Sequence, residues 1–275
     1  MTDAAERAPA FVEAELSYLK PSLERPVSYA FPPPPGVPVR TGEVDPRRVR
    51  IIDARTLPTL PTLDEYGFEL RHGPSALTDF SDERAIRERY YPESEALIRE
   101  ATGASKVVIF DHTLRYGKPE HGEEGVREPV RRVHNDQTFL SAPRRVRDHL
   151  PREEAESRLA RRFAIINLWR PIGHAAESTP LALCDARTIS PRALVPSDLV
   201  YRDKVGETYS FTYDPEHRWL YFSRVTPDEY LLLKIYDARV DGSARLTAHT
   251  AFDDPTTPPN ARPRESIEIR TLAFF

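Results

Sequence analysis

The chain has 275 residues and carries 39 basic and 43 acidic residues, for a formal net charge of −4. Such a balance gives no electrostatic case for binding nucleic acid or an anionic membrane. No run approaches the roughly 18 apolar residues that span a bilayer, and the first residues lack an apolar signal core, so we expect a cytoplasmic protein.

Cysteine usage narrows the chemistry further. Cys184 is the only cysteine, which excludes an internal disulfide and a thiolate metal cluster. It could act as a nucleophile, but the run Leu181–Asp185 has the pattern of a buried strand, which favours a thiol that fills the core.

The amino-terminal part is rich in proline. The chain has 27 prolines against 11 glycines, and the densest cluster is Phe31–Pro38. Residues 1–50 are therefore expected to form an extended proline-rich arm with little regular structure. The arm would pack on the domain surface or on a second copy of the chain, so a homodimer is one expected assembly.

Short strands and a helix pair are expected next. Val49–Ala54 and Gly67–Leu70 have strand character, and residues 82–102 have the pattern of two helices. Pro92 suits a first helical turn and Gly103 a helix stop. Lys106–Phe110 then forms an apolar strand that continues towards Arg115.

Strands dominate the rest of the chain. A helical insertion is expected at about 144–162, with apolar residues at helical intervals. The expected strands after it are Phe163–Arg170, Leu181–Asp185, Glu207–Tyr213, Trp219–Ser223, Tyr230–Tyr236, Arg245–Phe252 and Arg264–Phe275. This order predicts an α+β, mainly β chain: a single domain over 1–275 with a double-stranded β-helix (jelly-roll) core over 104–275 and flanking helices.

One tripeptide, His134-Asn135-Asp136, stands out as a candidate metal site. Composition predicts about 1.3 occurrences of His-x-Asp/Glu by chance, and the chain has two, so the tripeptide alone proves nothing. The other match, His121-Gly122-Glu123, lies among turn formers and charges typical of a surface loop. β-branched residues lead into His134, which favours a rigid strand end, although an ordinary hydrogen-bonded pair remains an alternative.

A third ligand must come from a distant strand, and His249 is the best placed of the other histidines. Two imidazoles and one carboxylate form the ligand set of a mononuclear iron(II) site, which leaves three coordination positions open. His134, Asp136 and His249 are therefore candidate metal ligands, with the hydrogen-bonded pair still open on spacing alone; the family resemblance described below implies that they bind iron. No catalytic residue is predicted beyond them.

The last strand offers a candidate anion clamp. Ser266, Glu268 and Arg270 alternate with aliphatic residues, so one face of this strand is polar. Arg264 with Ser266 could hold a carboxylate through a forked guanidinium and a hydroxyl. A solvated arginine at a strand start is the alternative.

The chain resembles a known family from about Tyr66 onward, the CmcJ/NvfI-type oxygenases, also described as cephem-methoxylase-subunit-related or gibberellin-desaturase-like proteins. The similar segments include Gly67–Leu70, Tyr90–Glu93, Thr102–Ser105, Phe110–Thr113, His134–Asp136, Asn167–Pro171, Leu181–Asp185, Arg218–Phe222, Thr226–Glu229, Lys234–Asp237, His249–Phe252 and Pro263–Arg270. The family's usual proline before the distal histidine is Ala248 here, which leaves the ligand intact.

The resemblance implies a jelly-roll enzyme that uses Fe(II), 2-oxoglutarate and O2 to oxidise a small-molecule natural-product intermediate. Hydroxylation, desaturation and oxidative cyclisation are all open. Arg264 with Ser266 is the first choice for binding 2-oxoglutarate, Arg270 is the alternate, and Asn167 is a further candidate. Trp169, Arg170 and Arg115 are candidates for binding substrate, while packing roles for Trp169 and Arg170 are equally open.

Two other functions fit the same residues. The chain could be a non-catalytic partner subunit, as some family members are, although an intact ligand triad argues against this. It could also be a cupin-like metalloenzyme that needs no keto acid.

Overall fold

The computed structural model of the chain describes residues 9–116 and 128–275. The strands are β1 (Phe11–Leu19), β2 (Val27–Tyr29), β3 (Val44–Asp53), β4 (Phe68–His72), β5 (Lys106–Tyr116), β6 (His134–Asn135), β7 (Phe163–Pro171), β8 (Leu181–Cys184), β9 (Leu194–Val200), β10 (Val205–Phe211), β11 (Trp219–Tyr221), β12 (Glu229–Asp237), β13 (His249–Ala251) and β14 (Glu265–Phe274). The helices are α1 (Glu83–Ala85), the π-helical turn Ile86–Tyr90, α2 (Tyr91–Thr102), α3 (Ser141–His149) and α4 (Arg152–Leu159), with 3₁₀ turns at Ala54–Thr56, Ala186–Thr188 and Pro191–Ala193.

The described strands form two sheets. The larger has nine strands in the order β1-β3-β11-β8-β13-β6-β10-β9-β2, and the smaller has five in the order β4-β12-β7-β14-β5. Their facing sides share one apolar cluster that includes Leu183 of the larger sheet and Trp169 and Leu233 of the smaller. The mainly β, jelly-roll fold expected from the sequence is confirmed.

The smaller sheet is covered on both sides. Every residue of its central strand, β7, is buried, as expected for a strand with packed layers on two faces. Its outer face packs against helix α2 and the π turn through residues such as Ile98 and Tyr90. Helix α2 ends at Gly103, which has φ of 72° and donates its N–H to the carbonyl of Arg99, so the predicted helix stop is confirmed.

The expectation of little regular structure over residues 1–50 was wrong. Strand β1 pairs along its whole length with β3, and its residues alternate between exposed and buried from Phe11 to Leu16. A period of two in burial is the signature of a strand with one packed face, and the proline content of the neighbouring segment obscured it. The proline cluster Phe31–Pro38 itself lies outside the strands.

The larger sheet holds a buried carboxylate beside the strand that leads to the site. Asp185 directly follows β8, is fully buried, and accepts hydrogen bonds from the side chains of Arg187 and Arg218. It also accepts from the backbone N–H of Arg187, which caps the 3₁₀ turn Ala186–Thr188. Burial alone would raise the pKa of Asp185, but these hydrogen bonds outweigh it and hold the pKa below the ordinary value.

Among the described residues, no helix combines the length and the hydrophobicity of a membrane-spanning segment.

We expect Asp185→Ala to lower the free energy of unfolding by about 2–3 kcal/mol, because several charge-assisted hydrogen bonds and a cap are lost. Glu65→Ala is the matched control, since Glu65 pairs with the same Arg187 but its side chain is 54% exposed. Its effect should stay below about 1 kcal/mol. Urea unfolding of the two variants measures both values, and equal losses would contradict the assignment.

The same carboxylate should contribute to acid sensitivity. Because its folded pKa is lowered, its stabilisation is present above the unfolded value of about 3.9 and is lost as the pH falls through the folded pKa. Stability of the Asp185→Ala protein should therefore fall less steeply below about pH 4 than that of the parent, in unfolding curves recorded across this range.

Candidate metal centre

Two histidines from distant parts of the chain become direct neighbours in the larger sheet. His249 of β13 pairs with His134 of β6 on one side and with Leu183 of β8 on the other. Residues directly opposite each other in a sheet project from the same face, and Leu183 belongs to the core between the sheets. Both imidazoles therefore point into the interior, with ring centroids 4.3 Å apart.

Asp136 completes the group from a bend that follows β6. Its Oδ1 lies 3.5 Å from Nε2 of His134 and 4.0 Å from Nε2 of His249. One ligand atom from each of the three residues lies within 4.8 Å of the others. These separations are longer than the donor–acceptor distance of a good hydrogen bond. The three atoms therefore surround a common space and do not form strong hydrogen bonds with one another.

The protonation states suit a metal ion. Nδ1 of His134 lies 2.8 Å from the carbonyl oxygen of Arg132. Because a carbonyl only accepts, Nδ1 donates to it, and Nε2 is the ring nitrogen left to bind a metal. Burial, together with the nearby His134, lowers the pKa of His249 to about 3, so its imidazole is neutral. Two imidazoles and a carboxylate match the ligand set of non-haem Fe(II).

Asp136 remains ionised in the interior. Burial would raise its pKa, but the charge of Arg270 and the interactions with His134 and His249 outweigh it and hold the pKa well below the usual range. Its second oxygen, Oδ2, accepts from Nδ2 of Asn167 at 2.8 Å and from Nε of Arg270 at 3.2 Å.

The smaller sheet presents a polar column opposite the three ligands. In β14, Ser266, Glu268 and Arg270 occupy alternate positions, and each is directly paired with a residue of β5 and one of β7. The paired rows are Asp111–Arg270–Asn167, Thr113–Glu268–Trp169 and Arg115–Ser266–Pro171.

Arg264, just before β14, is a buried cation. Its Nη1 donates to the carbonyl oxygen of Thr179 at 2.7 Å, and its guanidinium lies 5.6 Å from the ring centroid of Trp169. Within residues 9–116 and 128–275, no carboxylate forms an ion pair with it, and both its Nε and the buried Oγ of Ser266 have no hydrogen-bond partner. Burial and the charge of Arg115 lower the pKa of Arg264 to about 9.

Arg270 is placed very differently from Arg264. Its guanidinium forms ion pairs with Asp136, Glu268 and Asp111 at 3.2, 2.8 and 2.9 Å. Asn167 likewise contacts Asp136 and Glu268. Their predicted role as 2-oxoglutarate-binding residues therefore finds no support in these contacts, since their polar groups already serve the carboxylates around the metal centre.

The three predicted substrate residues separate in the structure. Trp169 faces the interior beside Arg264, and Arg115 lies opposite Ser266 in the neighbouring strand. Arg170 projects from the other face of β7, where it donates to Tyr90 and to the carbonyls of Gly73 and Pro227. The alternation of a strand sends neighbours to opposite faces, and these contacts support the packing role that the sequence left open for Arg170.

Glu268 is the site residue that sequence reasoning missed. It is 6% exposed and contacts both Asn167 and Arg270. Its alternation with Ser266 and Arg270 was the available signal. The competing tripeptide His121-Gly122-Glu123 lies outside the described residues.

Comparison with known proteins agrees with this geometry. Residues 16–274 match the family described as Oxidoreductase/YMDC permease-like domain. The chain is 35% identical over 237 residues to the hydroxylase/desaturase efuI of Hormonema carpetanum, covering 78% of this chain and 79% of the relative. It is 33% identical over 272 residues to the Fe(II)/2-oxoglutarate-dependent dioxygenase nvfI of Aspergillus novofumigatus, covering 95% and 96% of the two chains.

A solved structure extends the likeness to the fold. The iron and alpha-ketoglutarate-dependent endoperoxidase NvfI superposes with a TM-score of 0.86 at 30% identity, covering 96% of this chain and 98% of that one. The resemblance read from the sequence segments is thus confirmed over nearly the whole chain. The chain belongs to the NvfI-type family of Fe(II)/2-oxoglutarate-dependent oxygenases.

Proposed function

We propose that the chain is an Fe(II)- and 2-oxoglutarate-dependent dioxygenase that oxidises a small-molecule natural-product intermediate. The observation that carries the proposal is the convergence of His134, Asp136 and His249, with their ligand atoms within 4.8 Å of one another in the interior. These three residues would hold the iron, and three coordination positions would remain for 2-oxoglutarate and O2.

Arg264 and Ser266 would hold the carboxylate of 2-oxoglutarate that does not bind iron. A buried cation without an ionic partner is costly, and an anion placed against the Arg264 guanidinium would remove that cost. The unpartnered Nε of Arg264 and Oγ of Ser266 offer two donors to such a carboxylate. Arg270 is less suited, because three carboxylates of the chain already surround it.

When bound, Fe(II) with 2-oxoglutarate and O2 supplies the oxidising power that removes a hydrogen atom from a substrate C–H bond, with succinate and CO2 as co-products. The chain itself contributes position and environment. His249 stays neutral, Asp136 stays ionised, and the apolar cluster between the sheets holds the strands that carry these residues.

The reaction type stays open among several oxidations, since relatives are named as hydroxylase/desaturases and as an endoperoxidase. Hydroxylation, desaturation and oxidative cyclisation all begin with the same hydrogen abstraction, and the position of Trp169 and Arg115 near Arg264 makes them the proposed substrate contacts. A cytoplasmic location, a single domain over 1–275 and a homodimer stay predictions.

We expect His134→Ala and His249→Ala each to abolish turnover and to remove stoichiometric Fe(II) binding, because each deletes one of three ligands. The wild-type chain, given 2-oxoglutarate anaerobically with Fe(II), should develop a visible metal-to-ligand charge-transfer band that both variants lack. His72→Ala is the matched control, since His72 is exposed at the end of β4. A wild-type chain with no band and no succinate release would contradict the proposal and favour a non-catalytic or keto-acid-independent protein.

For the co-substrate, Arg264→Lys should raise the KM for 2-oxoglutarate by roughly 10- to 100-fold, because the forked, charge-assisted contact is lost while the charge remains. Ser266→Ala should raise it by roughly 3- to 10-fold, the value of one hydroxyl hydrogen bond. Steady-state succinate assays measure both, and Fe(II) affinity should stay unchanged. An unaltered KM in the Arg264 variant would return the role to Arg270.

A further inference from the structure

Asp136 differs from the two histidines in how the backbone holds it. His134 and His249 lie on paired strands, whereas Asp136 lies in a bend beyond the end of β6. A strand ladder therefore does not fix the direction of its carboxylate, which must be set by side-chain contacts. Those contacts come from the opposite sheet and go to one oxygen only, Oδ2.

Arg270 is the more constrained of the two donors to Oδ2. Its Nε contacts Asp136 at 3.2 Å, its Nη2 contacts Glu268 at 2.8 Å, and its Nη1 contacts Asp111 at 2.9 Å and Thr113 Oγ1 at 2.8 Å. All three nitrogens of the guanidinium are thus engaged. A planar group held at three points has little freedom to turn, so the Nε–H that reaches Asp136 has a fixed direction.

The second donor belongs to the same network. Nδ2 of Asn167 donates to Oδ2 of Asp136 at 2.8 Å and to Oε1 of Glu268 at 3.2 Å. Because Glu268 also forms an ion pair with Arg270, the four side chains form a closed ring of three hydrogen bonds and one ion pair. The ring spans β14, β7 and the bend after β6. Glu268 balances the charge of Arg270 and ties both donors to one acceptor.

We propose that Arg270 is a positioning residue which, with Asn167 and Glu268, keeps Oδ2 of Asp136 engaged and presents Oδ1 alone to the metal. This inference rests on the proposed iron site. It adds the control of which Asp136 oxygen can bind the metal, which the identity of the three ligands does not specify. A carboxylate free to rotate can bind a metal through both oxygens. Holding one oxygen back limits Asp136 to a single coordination position and leaves the others to the co-substrate and O2.

The contacts of Arg270 also distinguish its positioning role from the binding of 2-oxoglutarate proposed for Arg264. Nε of Arg264 and the hydroxyl of Ser266, two residues further on, both have no partner, whereas each nitrogen of Arg270 has one. For Arg270 to bind a ligand carboxylate, it would have to release one of the carboxylates that hold it.

The test is metal affinity measured apart from turnover. Co(II) binding to the full-length chain is titrated calorimetrically under anaerobic conditions, and the visible spectrum of the Co(II) protein is recorded. Arg270→Gln should raise the Co(II) dissociation constant by about 10- to 100-fold, the usual effect of losing an outer partner of a metal ligand. Its spectrum should change, because the carboxylate is free to alter its binding. Arg270→Lys should recover part of the affinity.

Asn167→Ala provides a second variant that keeps Arg270, and it should raise the dissociation constant by about 3- to 10-fold. Arg162→Gln is the matched control. Arg162 lies just before β7 and makes two hydrogen bonds to the buried Asp237. Loss of this guanidinium should lower the stability of the protein and leave the Co(II) affinity within about two-fold of the parent.

Three outcomes would overturn the inference. Wild-type Co(II) affinity and spectrum in both Arg270→Gln and Asn167→Ala would show that the network does not position Asp136. Unchanged Co(II) affinity with weaker 2-oxoglutarate binding in Arg270→Gln would assign Arg270 to the co-substrate instead. Absence of Co(II) binding by the wild-type chain would remove the proposed metal site itself, and this result is distinct from the other two.

Discussion

The site depends on one register in the larger sheet, the pairing of His249 with both His134 and Leu183. This pairing brings two imidazoles from remote segments into contact and turns both towards the core. A slip of one residue in β13 would send His249 to the opposite face, because side chains alternate with a period of two. The strands β6 and β13 are short, so their register is held by the strands that pair with them, β8 on one side and β10 on the other.

The interior between the sheets handles its charges in two ways. Around Asp136, Arg270 and Glu268 each charge has an ionic partner within the protein, since the guanidinium of Arg270 pairs with both carboxylates. Around Arg264 they are not matched, since no carboxylate in the described part of the chain pairs with this cation. A buried charge needs a partner. The polar face of β14 thus has two parts. Arg270 and Glu268 contact Asp136 or its partners, whereas Arg264 and Ser266 are proposed to bind the carboxylate of 2-oxoglutarate.

Sequence reasoning found the ligands and the polar strand but not how they are connected. His134, Asp136 and His249 could be proposed because strand-like sequence surrounds both histidines and because these segments resemble those of the oxygenase family. The alternation of Ser266, Glu268 and Arg270 indicated a polar face. The choice between packing and substrate binding for Arg170 stayed open in the sequence, because a run of buried residues in β7 does not reveal which neighbour faces which layer. The role of Arg270 was equally hidden, since it depends on Asp136 and Asp111 approaching from elements far away in sequence. Strand β1 could have been recognised from its alternating pattern, had the nearby prolines not dominated the interpretation.

The location of β14 has a consequence for how the protein is made. This strand lies between β7 and β5, both of which precede it in the chain, and it carries Ser266, Glu268 and Arg270. During synthesis the gap between β5 and β7 must stay open until the ribosome releases β14, which then enters between two existing strands and makes contacts of long sequence separation. Such insertion is slow and leaves strand edges exposed. The three metal ligands all precede β14, but the polar side of the centre does not: the ring around Asp136 is complete only after β14 has joined β7 and β5.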